Sequence, residues 1–228
     1  MNGAEHSDSG SLIYPVSSPF RAALTLRNWQ GKLPAPSLVQ VHGTTVIDGD
    51  EVLAASGPLP GDGLLICAAG PRGEWALRFA DCFPVVVQPE GPSPSWLLVI
   101  HSGFAGTVKR IAACGVQMAA RCYPETDLRK VRAWIGPGIC FSCYERDEDE
   151  LALSAASEWN SENWRREGGK IHFDIAGEIA DQLAEVGLLP SKIERIPYCT
   201  RCRRDLFFSY RGGDRSERMY LTVQRIGC

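Results

Sequence analysis

Three short apolar runs follow one another between residues 64 and 103: LLICAA (64–69), WALRFADCFPVVVQ (75–88) and WLLVIHSG (96–103). Each is bounded by Gly, Pro or Ser and is rich in branched or aromatic residues, so each is expected to be a buried strand. The third feeds directly into TVKRIAACGVQMAARC (107–122), where apolar or small residues at 108, 111, 112, 115, 116 and 119 line one helical face. Strand, glycine turn and helix make a local α/β unit, and this constrains the chain more than any other feature.

The remaining segments extend that pattern. SLVQVHGTTVID (37–48) reads as a strand broken at His42-Gly43, and VRAWIGPGI (131–139), KIERIP and MYLTVQRI read as further strands. DEDELALSAASEW (147–159) is expected as a helix with its acids at the favourable end. FDIAGEIADQLAEVGLL (173–189) is expected as an amphipathic helix capped by Asp174 and stopped at Gly187. Residues 1–20 are polar and weakly patterned, a loose start with one strand. No repeat or linker divides residues 21–228, so the expectation is one mixed α/β domain.

At 228 residues, such a domain can bury a substantial core. A net charge of −3 provides no basic field, which argues against a nucleic-acid partner. No apolar run approaches the roughly 20 residues that span a bilayer, and the opening MNGAEHSDSG lacks the features of a secretory signal. A cytoplasmic protein without a membrane partner is expected; the sequence sets no oligomeric state. The odd count of 9 cysteines argues against a disulfide framework.

Histidines number only 4: His6, His42, His101 and His172. His6 lies in the loose start, and His172 reads as an ordinary residue before a helix. His42 and His101 each sit at a strand boundary beside glycine, where a ligand can approach closely. Cys82, next to Asp81, stands at the mouth of the Val85-Val86-Val87 run. Taken singly, each of the three is more simply a packed structural residue. Together they offer two imidazoles and a thiolate, a donor set for Zn²⁺ that leaves the fourth position open. No short ligand motif such as H-E-x-x-H accompanies them. Asp81 either orients a ligating imidazole or caps local amides.

VQVHG, ADCFPVVV, HSGFAG, WIGPGICFSCYE and CTRCRRDLFFSYR occur in the order and near the spacing seen in the YfiH-like laccase-domain family, also called multicopper polyphenol oxidases or purine nucleoside phosphorylases. The chain resembles that family over roughly residues 37–225. The resemblance implies a single-domain, mixed-sheet α/β sandwich of the type shared with cytotoxic necrotising factors. It also implies a zinc ion on His42, Cys82 and His101, which would be the catalytic residues. Phosphorolysis of adenosine, inosine and methylthioadenosine is the implied reaction, with deamination of adenosine beside it, so the implied partners are a nucleoside and phosphate. The older oxidase name implies copper as the alternative ion, and an N/S site binds copper more tightly than zinc. The family commonly carries Trp-Arg where this chain has Phe104-Ala105. If that Arg holds phosphate, its absence bears on the phosphorylase activity.

Substrate contacts are expected from Gly103 and Gly106, whose amides open a helix and could face an anion. Arg211 is expected to contact substrate too, since its guanidinium can bind an oxyanion bidentately. Phe207 and Phe208 are expected in the core, with Ser209, Tyr210 and Arg211 at the pocket rim. Cys140-x-x-Cys143 and Cys199-x-x-Cys202 are compatible with a Cys₄ zinc site, but the resemblance implies no second zinc and reads them as packed thiols. A rival reading of the whole chain is a metal-free hydrolase of an amide, such as a cell-wall precursor, with Cys82 as nucleophile and His101 as base. A third is a protein-binding module that retains the metal only as a structural element.

Overall fold

The computed structural model describes residues 10–226 and the backbone of the strand Glu5–Ser7. A six-stranded mixed sheet forms its centre, in the spatial order Ile193–Arg195, Val131–Ile135, Phe83–Pro89, Trp96–Ser102, Gly63–Cys67, Val46–Asp48. The two outermost pairings are parallel and the inner ones antiparallel. A five-stranded antiparallel sheet packs on one face, in the order Glu5–Ser7, Ser11–Tyr14, Phe20–Thr25, Met219–Arg225, Gly73–Phe79. Helices Ile111–Cys122 and Ile175–Glu185 cover the other.

The period of two along each central strand explains this layering. Val85, Val87, Leu98 and Ile100 turn toward the helices and join Ile111, Val116, Ile179 and Leu183. Val86, Leu97, Val99 and Trp134 turn the opposite way, toward Leu24, Trp75, Leu77, Leu221 and Val223 of the second sheet. A sheet buried on both faces has no polar face, so its strands read as unbroken apolar runs. The outer sheet has one wet face, and there exposed Arg21, Arg78 and Gln224 alternate with buried neighbours. The mixed α/β class expected from the sequence is the one observed.

Three local readings are revised. WALRFADCFPVVVQ is two strands belonging to different sheets, because Gly73–Phe79 ends the outer sheet and Phe83–Pro89 lies inside the central one. The chain crosses between layers at Ala80-Asp81-Cys82, where Asp81 adopts a left-handed φ of 81°. The expected helix over 107–122 is interrupted at Arg110, also left-handed at φ 63°, which separates a short helix Phe104–Val108 from Ile111–Cys122. Residues 11–14 form a strand within the outer sheet, with Leu12 and Tyr14 buried. With Glu5–Ser7, the segment expected to be loose thus carries two strands ahead of Phe20–Thr25. His172 lies on Lys170–Phe173, the middle strand of a small three-stranded sheet.

Candidate metal centre

His101 sits near the end of the central strand Trp96–Ser102, and its backbone N–H donates to the Asp62 carbonyl at 2.7 Å. Its ring is buried, with Nδ1 2.9 Å from Asp62 Oδ1. An ionised carboxylate can only accept a hydrogen bond. Nδ1 therefore carries the hydrogen, and Nε2 is the atom left to bind something else. Asp62 also fixes the second histidine. Its carboxylate accepts the backbone N–H groups of Val41 (3.2 Å), His42 (3.0 Å) and Gly43 (2.7 Å). These bonds hold the loop in which His42 takes a left-handed φ of 56°. One buried carboxylate thus sets the position of both imidazoles.

Cys82 enters from the crossing between the sheets. Its Sγ lies 3.8 Å from His42 Nε2, and the donor atoms of His42, Cys82 and His101 all fall within 4.8 Å of one another. Gly103 makes room for them, since a Cβ there would lie 2.7 Å from Cys82 Sγ and 3.0 Å from His42 Cδ2. Asp81 turns away from the imidazoles. It accepts from the Thr200 hydroxyl and the Arg211 amide, each at 2.7 Å, and its carbonyl accepts from the Ile139 amide at 3.0 Å. Neither expected role is the one observed: the carboxylate caps no amide local in sequence, and instead ties the crossing to the distant 200–211 segment through one hydroxyl and one amide. Asp81→Ala is expected to cost about 1–3 kcal/mol, because two donors lose their acceptor. A lowered denaturant midpoint with unchanged slope would measure this.

The electrostatics favour charge on these groups. Burial pushes the Cys82 thiol up, but the His101 charge and hydrogen bonds from both imidazoles outweigh it and bring the thiol down to about 6. Burial alone would lower His101, yet the Cys82 thiolate and the Asp62 carboxylate raise it to about 9. Asp62 is likewise disfavoured as an anion by burial, and its bonds to His101, Gly43 and His42 overcome this and hold it below the usual carboxylate range. The donor set fits a borderline-soft divalent ion. A tetrahedral site with N at about 2.1 Å and S at about 2.3 Å places neighbouring donors roughly 3.4–3.8 Å apart.

The three donors line a cavity of about 500 Å³, within the range usual for small-molecule sites. Arg78, Arg146, Arg211 and Arg218 also line it, as do the rings of Phe104, Tyr144 and Tyr210. Phe104 packs against Tyr144, Trp159 and Phe173, with the Arg146 guanidinium 4.8 Å above its ring. Arg211 lies in the same way 4.9 Å from the Tyr144 ring centre. Gly103 belongs to this lining. Gly106, one turn on, is buried beside Ile111 and the Gly43 carbonyl and is not part of it. Phe207 is buried and Tyr210 is at the cavity, but Ser209 is fully buried and closes its own loop through Asp214 and Gly212.

Sequence reasoning missed Asp62 and the three other arginines. PGDG has the composition of a turn, and the signal that its acid enters the interior is its place two residues before the apolar LLIC run. Among the described residues, no helix is long and apolar enough to cross a membrane.

The fold recurs in solved structures. A Bacillus licheniformis hypothetical protein YfiH superimposes with a TM-score of 0.83 at 22% identity, covering 98% of this chain and 99% of that one. YlmD from Geobacillus stearothermophilus gives 0.79 at 25% identity, with 99% of each chain covered. Among curated relatives, a Deinococcus radiodurans protein named purine nucleoside phosphorylase is 34% identical over 143 residues, 61% of this chain and 51% of that protein. Adenosine deaminase RL5, from an unknown prokaryotic organism, is 29% identical over 150 residues, 64% of this chain and 56% of the relative. The chain thus spans little more than half the length of these two relatives. A Synechocystis protein named purine nucleoside phosphorylase slr1573 is 27% identical over 212 residues, covering 82% of this chain and 78% of the relative. Residues 22–225 match the model of the family described as multi-copper polyphenol oxidoreductase laccase, and the chain belongs to that family.

Proposed function

We propose that the protein is a zinc-dependent enzyme of purine nucleoside metabolism, cleaving adenosine, inosine or methylthioadenosine with phosphate and deaminating adenosine as a side reaction. One observation carries this reading: the donors of His42, Cys82 and His101 converge in the same cavity as Arg78, Arg146, Arg211 and Arg218. The names of the curated relatives agree with it. His42, Cys82 and His101 hold the ion, which when bound supplies a Lewis acid in the cavity. Asp62 keeps the His101 proton on Nδ1 and so presents Nε2. Arg211 and Arg146 provide the positive field for phosphate, and Arg146 supplies a guanidinium beside Phe104, next to the position where the family commonly has arginine. Tyr210, half exposed at the cavity, offers a face on which a purine can stack.

Arg211→Ala is expected to raise the KM for phosphate about ten- to hundredfold, the worth of a charge-assisted bidentate contact, with a much smaller effect on the KM for nucleoside. Steady-state kinetics with each substrate varied in turn would check the split. Equal loss on both substrates would remove Arg211 from the phosphate site.

A specific observation also favours a second reading. Asp62, His101 and Cys82 form a carboxylate–imidazole–thiol chain of the order found in cysteine hydrolases. An amide hydrolase built on it would retain its activity after chelation, whereas the nucleoside enzyme would lose it. Copper in the purified protein would instead favour the oxidase reading.

A further inference from the structure

Two C-x-x-C pairs, 59 residues apart in sequence, meet in the fold, the first of them in the segment that follows the Val131–Ile135 strand. Each pair spans one tight turn. Phe141–Cys143 is a 3₁₀ turn in which the Cys143 and Tyr144 amides both donate to the Cys140 carbonyl at 3.0 Å. In the second, the Arg203 amide closes on the Cys199 carbonyl at 2.9 Å. Residues three apart in such a turn lie on the same side, so each pair presents both of its sulfurs together. A parallel bridge between Gly138 and Cys199 and the bond from the Thr200 amide to the Gly138 carbonyl set the two turns face to face. The four Sγ atoms then lie within 4.8 Å of one another.

We infer that Cys140, Cys143, Cys199 and Cys202 form a second metal site, a tetrathiolate that takes zinc and clamps one wall of the cavity. Tetrahedral zinc–thiolate bonds of about 2.3 Å set the sulfurs about 3.8 Å apart. Cys143 and Cys202 stand at 3.5 Å, far from the ~2.05 Å of a disulfide, and all four cysteines are free thiols. The Cys140 amide donates to Cys199 Sγ at 3.3 Å, a bond that stabilises a sulfur carrying negative charge. On binding, the four thiol protons pass to solvent and the Zn(Cys)₄ unit carries a net charge of −2. Arg201, which lies between Cys199 and Cys202 and donates to the Cys143 carbonyl at 3.0 Å, provides nearby positive charge. Cys202 is exposed and the other three are half-buried, so an ion can enter without unfolding the chain.

The site lies against the cavity without sharing any residue of the first centre. Ile139 and Tyr144, which flank the first pair, line the cavity. Thr200, within the second pair, donates to Asp81 beside Cys82. A metal here fixes the wall that carries Tyr144 and leads to Tyr210 and Arg211. Its assignment does not depend on which reaction the first centre performs.

The test compares the full chain with Cys82→Ser and with the double variant Cys143→Ser/Cys202→Ser, each stripped under reducing conditions and reconstituted with Zn²⁺ or Co²⁺. Cys82→Ser is expected to retain one metal per chain, with the intense charge-transfer and ligand-field absorption of cobalt in four thiolates. The double variant is expected to lose that absorption together with one metal per chain. If the double variant does not fold, wild type and Cys82→Ser decide the question, with zinc protection of the four thiols from alkylation as the second readout. Cobalt in Cys82→Ser without the tetrathiolate spectrum, or four thiols alkylated equally fast with and without zinc, would overturn the assignment. So would a pair of disulfides that, once reduced, leaves thiols unable to take up zinc.

Discussion

Asp62→Ala is expected to lose the metal centre and much of the local stability at once. Asp62 is fully buried and receives the His101 ring and three consecutive backbone amides, those of Val41, His42 and Gly43. Removing one partner of a buried charged network costs about 3–5 kcal/mol, because the donors left behind remain desolvated and unpaired. Loss of a carboxylate that orients a ligating histidine weakens metal binding by about 10–100-fold, and the His42 loop would loosen in the same step. Competition against a calibrated chelator, with denaturant unfolding of the same samples, would measure both. Asp62→Asn retains the shape but turns an NH₂ group toward existing donors, so it should fall between wild type and Ala. Wild-type metal affinity in Asp62→Ala would show that the His101 ring and the His42 loop are fixed by other contacts.

Gly103→Ala should separate the site from the fold. The backbone at Gly103, φ −91° and ψ 177°, is open to any residue, so the substitution brings no conformational penalty. The added Cβ instead meets Cys82 Sγ at 2.7 Å and His42 Cδ2 at 3.0 Å, and both donors must shift. Displacement of reacting groups by about 1 Å costs on the order of 100-fold in rate, while overpacking at a cavity wall costs about 1–3 kcal/mol of stability. Gly57→Ala is the matched control, since nothing lies within 4 Å of its added Cβ. A large fall in turnover with the fold retained is the expected result. Full activity in Gly103→Ala would place the reacting atoms away from Cys82 and His42.

The layers could be read from the sequence because burial on two faces leaves a continuous signature, as in FPVVVQ and WLLVI. The crossing between sheets at Asp81 could not. Apolar residues continue on both sides of it, and only a left-handed φ at a non-glycine residue marks the break. His42, Cys82 and His101 could be brought together because ligand-type side chains at strand boundaries are few. Asp62 escaped because its role depends on three amides that reach it only through the loop fold. Arg78, Arg146 and Arg218 escaped for a related reason: one exposed and two half-buried arginines share no sequence period, so their convergence on one cavity is a tertiary fact. The two C-x-x-C pairs show the same limit, since spacing gives each turn but not the meeting of the turns.

Metal content and nucleoside turnover, measured together on wild type and Cys82→Ala, test the central claim most directly. The account predicts zinc at the first centre in the wild type, as one equivalent that Cys82→Ala lacks. It also predicts that phosphate-dependent release of free base from adenosine disappears with that equivalent. Wild-type protein that turns over adenosine equally well with the first centre emptied by chelation, or a Cys82→Ala variant that keeps both metal equivalent and turnover, would contradict it.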